Sequence, residues 1–342
     1  MNKPIVISMG EPAGIATEII LKAWKLRKKH QLYPFLLIDD FKKVKSVNEL
    51  FNFDVKLKKI SKPSEANNLF SKALPIIDIN KKLNFDFGLP DTQNSQFVLS
   101  SIKKCAKLVL EDKCCAMITL PVCKETLIKS GFKFKGQTEY ISYLVENLTK
   151  RKNEEIMIMS TQKPIDRGKN LIVGLYSTHE SIKDAVNKIS LKKILKKIIA
   201  FKQSLEKIWK IDDPYIAVCG INPHAGEGGL IGDEEKKLIL PAIEILRKDN
   251  VKIDGPLSSD SCFYKEKRKK FDGIFCFYHD QALIPIKILD FLNSINVTGG
   301  LPILRVSPDH GPAFDIAKNN TANVDSLLSS IKFIKKLVNG SI

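Results

Sequence analysis

Five histidines are spread over the 342 residues, and three of them follow apolar runs directly. His179 comes after "LIVGLYST", His224 after "IAVCGIN", and His279 after "IFCFY", with Asp280 and Gln281 behind it. In open α/β sheets ligands bind outside the carboxyl ends of the strands, so these are places where chemistry belongs. Neutral imidazole is the commonest ligand for a borderline divalent metal, and three protein ligands with one open position suit a catalytic centre. Any one of the three alone reads as a hydrogen-bonded structural histidine. Together they point to a metal-binding or catalytic role. Asp280 would then be a further ligand or the group that orients His279.

His224 sits in "CGINPHAGEGGLIGDEE" (219–235). Gly226, Gly228, Gly229 and Gly232 fall between a strand and a helix expected to begin near Gly232, where bare backbone lets a ligand come close. Asp233, Glu234 and Glu235 fit the first helical turn, where the dipole favours acidic groups. Ile231 stands where GxGxxG needs its third glycine, so the loop is not a Rossmann fingerprint. Three further stretches stand out: "GEPAGIATE" (10–18), "LPVCKETLIKSGFKFKGQTEY" (120–140) and "IPIKILDFLNSINVTGGLPILRVSPDHGPAFDIA" (284–317). The second holds Lys124, Lys135, Gln137 and Thr138; the third holds Lys287, Asn296, Arg305 and His310. Cationic side chains near a metal site suit a phosphate or carboxylate substrate, ordinary ion pairing being the alternative for Lys287 and Arg305.

The elements that must position these residues alternate along the whole chain. Strands are expected at 4–10, 34–40, 115–122, 155–161, 170–178, 215–222 and 273–280, and helices at 16–29, 100–112, 190–210 and 232–248, the last with a kink at Pro241. Such alternation predicts an α/β protein with a largely parallel sheet. The formal charge is +17, yet only six of the 55 basic residues are arginine. Lysines of "SLKKILKKIIAFKQSLEKIWK" are expected on a solvent face opposite Ile194, Leu195, Ile198, Ile199 and Phe201. A nucleic-acid binder would favour arginine and interleaved aromatics, and its binding would weaken steeply with salt, so no nucleic-acid partner is expected. No apolar run approaches the ~18 residues of a membrane span, and MNKPIVISMG is too soon interrupted for a signal peptide. A cytoplasmic protein without a membrane partner is expected. The seven cysteines are odd in number and lack CxxC spacing, which favours reduced, buried thiols.

Taken together, "GEPAGI", "GQTEY", "NPHAGEGG", "YHDQ" and "NVTGGLPILRVSPDHGPAFDIA" resemble the 4-hydroxythreonine-4-phosphate dehydrogenase family of pyridoxal phosphate biosynthesis, in order and nearly end to end. The resemblance implies two α/β/α domains with mostly parallel sheets, like isocitrate and isopropylmalate dehydrogenases and unlike a Rossmann domain. Approximate limits are 1–125 plus 300–342, and 126–299, the second domain contributing to a homodimer and the metal site. It implies a divalent metal, zinc, cobalt or magnesium, on His179, His224 and His279. Substrate contacts fall on Gln137, Thr138, Lys287, Asn296 and Arg305, catalytic duty on Lys287 and Asp280, and cofactor contacts on His310 and Asp315. The cofactor would be NAD, with NADP as the alternative, and the active site would lie at the subunit interface.

The implied reaction is oxidation of 4-phosphohydroxy-L-threonine, followed by decarboxylation to 3-amino-2-oxopropyl phosphate. The metal would lower the pKa of the substrate hydroxyl and stabilise the charge left as carbon dioxide departs. Where the family usually reads "GHTE", "GPVHK" and "EPAGIGPE", this chain has Gln137, then Leu120 with Cys123, then Ala16 with Thr17. Glutamine gains no positive charge. The alternative is therefore a paralogous dehydrogenase for another 4-phosphorylated hydroxy acid of threonate or erythronate type. A metal-dependent hydrolase using the same histidines would need no nicotinamide.

Overall fold

Short apolar runs, bounded by polar or glycine-containing turns, form most of the strands. The computed structural model describes residues 3–81, 83–166 and 169–340. In chain order the strands are β1 (Ile5–Ser8), β2 (Phe35–Asp39), β3 (Leu57–Lys59), β4 (Leu74–Asp78), β5 (Ala116–Ile118), β6 (Ile156–Ser160), β7 (Ile172–Leu175), β8 (Ile216–Cys219), β9 (Ile253–Leu257), β10 (Gly273–Cys276), β11 (Ile295–Gly299) and β12 (Arg305–Pro308). The chain divides into two units, Met1–Arg151 with Pro302–Ser341, and Lys152–Leu301. The first therefore runs beyond the limit of 125 that the sequence suggested. Helices Lys124–Lys129 and Gln137–Thr149 belong to it, the latter packing on helix Ser95–Leu110.

In the first unit the strands run in the order β3-β4-β2-β1-β5-β12, all parallel. Ile5, Val6 and Ile7 of β1 and Leu36, Leu37 and Ile38 of β2 are wholly buried, as expected where helices cover both faces. Helix Ala16–Lys25 buries Ile19, Ile20 and Ala23, and the C-terminal helix Asp325–Val338 buries Leu327, Ile331 and Ile334. The spacing of three and four residues is that of an apolar helical stripe.

In the second unit the order is β11-β6-β7-β10-β8-β9. β6 is antiparallel to both its neighbours, whereas β7, β10, β8 and β9 are parallel. Helix Leu191–Trp209 lies on this sheet through Ile194, Ile198, Phe201 and Leu205. A Cβ on Gly174 of β7 or Gly273 of β10 would meet the Phe201 ring at 2.7 and 2.6 Å, so two strand glycines seat that ring. The solvent-face assignment of this helix needs correcting at two positions. Lys197 is buried, its ammonium on the Glu155 carbonyl and near Glu154, while Ile199 is 40% exposed. A long apolar stem and an acidic pair at its tip make that burial tolerable.

The helix expected from Gly232 starts later. It opens with a wide π turn, Glu235–Ile239, and becomes α-helical over Leu240–Lys248. Pro241 cannot donate a backbone hydrogen bond, and the wider turn sits immediately before it. None of the described helices is long and apolar enough to cross a membrane.

Candidate active site

In the second unit β7, β10 and β8 are adjacent and parallel, so His179, His279 and His224 all follow strands that end on the same edge of that sheet. The His179 and His279 rings lie 5.8 Å apart, centroid to centroid. His279 begins helix His279–Asp290, and its Nδ1 meets the Asp280 carboxylate at 2.7 Å. A proton held on Nδ1 by that contact leaves Nε2 with its lone pair, the form a metal requires. Gln281, whose role the sequence left unassigned, is buried and ties two strand exits together. It accepts from Phe277 N at 2.7 Å and donates to Gly220 O at 2.6 Å and Ser259 Oγ at 2.7 Å. The one signal for it was its place directly behind the His–Asp pair.

His224 stands on an unusual turn. Residues His224 to Gly228 have φ of 52, 53, 80, 43 and 68°, five consecutive residues in the left-handed region. Three of them carry a Cβ, at roughly 1–2 kcal/mol each. The expectation that the loop glycines make room for a ligand needs revision at two of them. A Cβ on Gly226 would meet Glu235 Oε2 at 2.7 Å, and one on Gly232 would meet Asn222 Nδ2 at 2.4 Å, so these glycines make room for the protein's own side chains. Glu235 does not stay on its own helical turn but reaches back into the loop. Its carboxylate accepts from Ile221 N and Asn222 N, both at 2.7 Å, and from Asn222 Nδ2 at 2.9 Å. His224 itself is exposed.

Among the described residues, no three His, Cys, Asp or Glu side chains are arranged to hold a metal ion. The His179–His279 pair is close, and His224 does not complete a triad with it. The chemistry of the set suits a divalent ion nonetheless: three imidazoles leave parallel neighbouring strands, and one has its tautomer fixed by a carboxylate. Lys287 and Asn296 belong to this unit too. Lys287 Nζ lies 5.0 Å from the Phe291 ring centroid, and Asn296 Oδ1 is buried with no hydrogen-bond partner among the described residues.

The first unit carries a different kind of centre. Arg305, the first residue of β12, is 3% exposed. Its Nε and Nη2 donate to Thr119 Oγ1 at 3.0 and 2.7 Å, and its Nη1 to Thr138 Oγ1 at 3.4 Å. Burial brings the Arg305 pKa down to about 10, against an upward pull from Glu139, so the group stays cationic at neutral pH. Thr138 lies in the first turn of helix Gln137–Thr149, whose positive end adds to the same field. Gln137 Nε2 donates to the Leu120 carbonyl at 3.1 Å, which fixes the amide orientation, and its Oε1 is buried with no hydrogen-bond partner among the described residues. Thr119, which the sequence reading passed over, is a polar residue directly after an apolar strand.

The "GEPAGIATE" turn braces the same unit. Glu11 N donates to Pro121 O at 2.8 Å and Ile15 N to Pro312 O at 3.0 Å, the latter tying the turn to the 310–315 stretch. His310 Nδ1 contacts Gly311 O at 3.0 Å, and Asp315 is exposed. Lys124 and Lys135 are exposed as well.

This architecture is that of an α/β dehydrogenase fold without the glycine fingerprint. Isocitrate dehydrogenase from Methylococcus capsulatus shares it at 12% identity, with a TM-score of 0.50 over 100% of this chain and 86% of that one. Within that class the assignment is sharper: the family model "Pyridoxal phosphate biosynthetic protein PdxA" matches residues 31–334, and the chain belongs to that family. It is 35% identical to the 4-hydroxythreonine-4-phosphate dehydrogenase of Caulobacter vibrioides over 338 residues, 98% of each chain. The Zymomonas mobilis protein of the same name is 34% identical, over 96% of this chain and 94% of its own. The crystal structure of a 4-hydroxythreonine-4-phosphate dehydrogenase from Burkholderia phymatum matches with a TM-score of 0.80 and 32% identity, over 98% of both chains.

Proposed function

We propose that this protein oxidises 4-phosphohydroxy-L-threonine with NAD in vitamin B6 biosynthesis and releases carbon dioxide to leave 3-amino-2-oxopropyl phosphate. The observation that carries the reading is Arg305, a buried guanidinium whose donors meet the hydroxyls of Thr119, just after a strand, and Thr138, in the first turn of a helix, in a chain 35% identical to a protein so named. A desolvated cation flanked by hydroxyls suits a phosphate. Arg305, Thr138 and Gln137 bind that group. Asn296 and Lys287 serve the reacting end, Lys287 as the proton donor. Asp280 holds the proton on His279 Nδ1. His179, His224 and His279 would hold a divalent ion, zinc, cobalt or magnesium, which when bound supplies Lewis acidity. His310 and Asp315 lie with the cofactor.

A homodimer is part of the proposal. Ile284, Ile288, Phe291 and Leu292 are 57, 79, 69 and 47% exposed along one helix and its end, an apolar stripe suited to a second copy. A second substrate reading rests on Gln137. With one Nε2 hydrogen on Leu120 O and no capacity to gain a positive charge, it cannot match the histidine of the resembled pattern, so a phosphorylated threonate or erythronate is the competing substrate. The test is NADH formation by metal-stripped protein with each substrate, with and without added zinc, cobalt or magnesium. Metal-restored turnover of the phosphothreonine compound supports the first reading. Turnover of the threonate or erythronate alone supports the second, and none with any metal or substrate overturns both.

A further inference from the structure

The left-handed turn at residues 224–228 is too strained to persist by itself, and one side chain meets it from beneath. Glu235 is 4% exposed. Its Oε1 takes both backbone N–H groups that follow strand β8, those of Ile221 and Asn222, and its Oε2 takes the Asn222 amide. Asn222 Nδ2 also donates to Glu234 at 2.7 Å, which fixes that amide from a second side. The turn packs directly on this carboxylate, for a Cβ on Gly226 would lie 2.7 Å from Oε2. At its base a Cβ on Gly220 would lie 2.8 Å from Ala225 Cα. The residue bearing the exposed imidazole thus sits between two glycine contacts and a carboxylate with three donors. Charged acceptors bind N–H groups about twice as strongly as neutral ones, and such networks hold strained backbone in place.

We propose that Glu235 is the positioning residue for His224: by fixing Ile221 and Asn222 it holds the left-handed turn at 224–228 and so sets the place from which that imidazole can bind a metal. The inference rests on the reading of His224 as a metal ligand. Neither Glu235 nor Gly226 reaches the ligand; they act through the backbone.

The experiment is a cobalt(II) titration of the metal-free protein, following the visible absorption of the bound ion. It compares the unaltered chain with Glu235→Gln, Gly226→Ala and His224→Ala, alongside amide hydrogen exchange over 221–228 without metal. Gln keeps the shape but replaces a carboxylate that serves three donors by a single carbonyl acceptor. Loss of an outer partner of a metal ligand typically weakens metal affinity by about 10–100-fold. The expected result is a loss of that size in Glu235→Gln and Gly226→Ala, with faster exchange at Ile221 and Asn222 and an unchanged melting transition of the rest of the chain. Saturation of the variants at raised cobalt, with the bound spectrum intact, marks a positioning role. If His224→Ala weakens cobalt binding and Glu235→Gln and Gly226→Ala do not, the positioning proposal falls alone. If His224→Ala leaves cobalt binding unchanged, the metal-ligand reading falls and takes the proposal with it.

Discussion

The strand ends of the two units carry their candidate site residues at opposite kinds of cost. In the first, Arg305 lies in an ordinary strand, and the free energy goes into burying a charge, as the fall of its pKa to about 10 records. In the second, His224 is solvent-exposed and the free energy goes into backbone, with three non-glycine residues in the left-handed region. Each cost is one that a ligand would lower. An anion neutralises a desolvated guanidinium, and a metal rewards an imidazole held where it is needed. The difference also predicts which perturbation each centre will notice: charge and pH for the first, backbone substitution for the second.

The largest effect should come from Arg305→Ala. Truncating one partner of a buried charged contact costs roughly 2–5 kcal/mol, so kcat/KM should fall by roughly 30- to 4,000-fold. Arg305→Lys should recover little, because one ammonium cannot reproduce the forked donors that now reach Thr119 and Thr138. Inorganic phosphate should raise the melting temperature of the unaltered chain and not of Arg305→Ala. Its sign with pH follows from a base whose folded pKa is lowered. Below about 10 the guanidinium is charged in folded and unfolded chains alike, and burial is penalised. As pH rises through about 10 the folded chain sheds the proton and that penalty fades, while phosphate loses its partner. Stabilisation by phosphate that persists well above pH 10 would place the anion elsewhere.

Thr119→Val should come next. Its hydroxyl receives two guanidinium N–H groups at 3.0 and 2.7 Å inside a site closed to water. Valine keeps the shape and leaves buried donors unmet, at roughly 1–3 kcal/mol. Thr138→Val, whose contact is 3.4 Å long, should cost a few tenths of that in stability while raising KM. Equal destabilisation by both, in chemical denaturation, would mean that Arg305 does not depend on Thr119.

The α/β class and the three strand-end histidines could be read from the sequence because both follow local periodicity: apolar runs of strand length, each ending in a turn residue. The kinship with a known family was also legible, since its motifs lie in unbroken stretches. What local pattern could not give was anything decided by a distant partner. Glu235 looked like a helix-dipole residue and instead serves backbone fourteen residues earlier. Gly226 and Gly232 looked like room for a ligand and instead make room for Glu235 and Asn222. Lys197 looked like one more surface lysine until Glu154 and Glu155 were brought to it. The first unit was cut short at 125 because the packing of helix Gln137–Thr149 on helix Ser95–Leu110 is a tertiary fact.

The smallest predicted effects lie on the backbone side of the comparison, and they carry opposite signs. Ala225 has φ of 53° and is only partly buried, so Ala225→Gly removes a left-handed strain of roughly 1–2 kcal/mol. Against this stands the extra freedom glycine has when unfolded, roughly 0.4–1 kcal/mol, leaving a net gain between about 0 and about 1.6 kcal/mol. Gly228→Ala runs the other way. Its φ is 68° and a Cβ there meets nothing within 4 Å, so the cost is conformational alone and of similar size. Thermal melting of the two variants should therefore diverge by roughly 1–4 °C about the unaltered chain, at about 1.4 °C for each kcal/mol in a chain of 342 residues. If Ala225→Gly instead destabilised the chain, its Cβ contacts near Gly220 would outweigh the strain, and the turn would be held by packing rather than held against its own preference by Glu235.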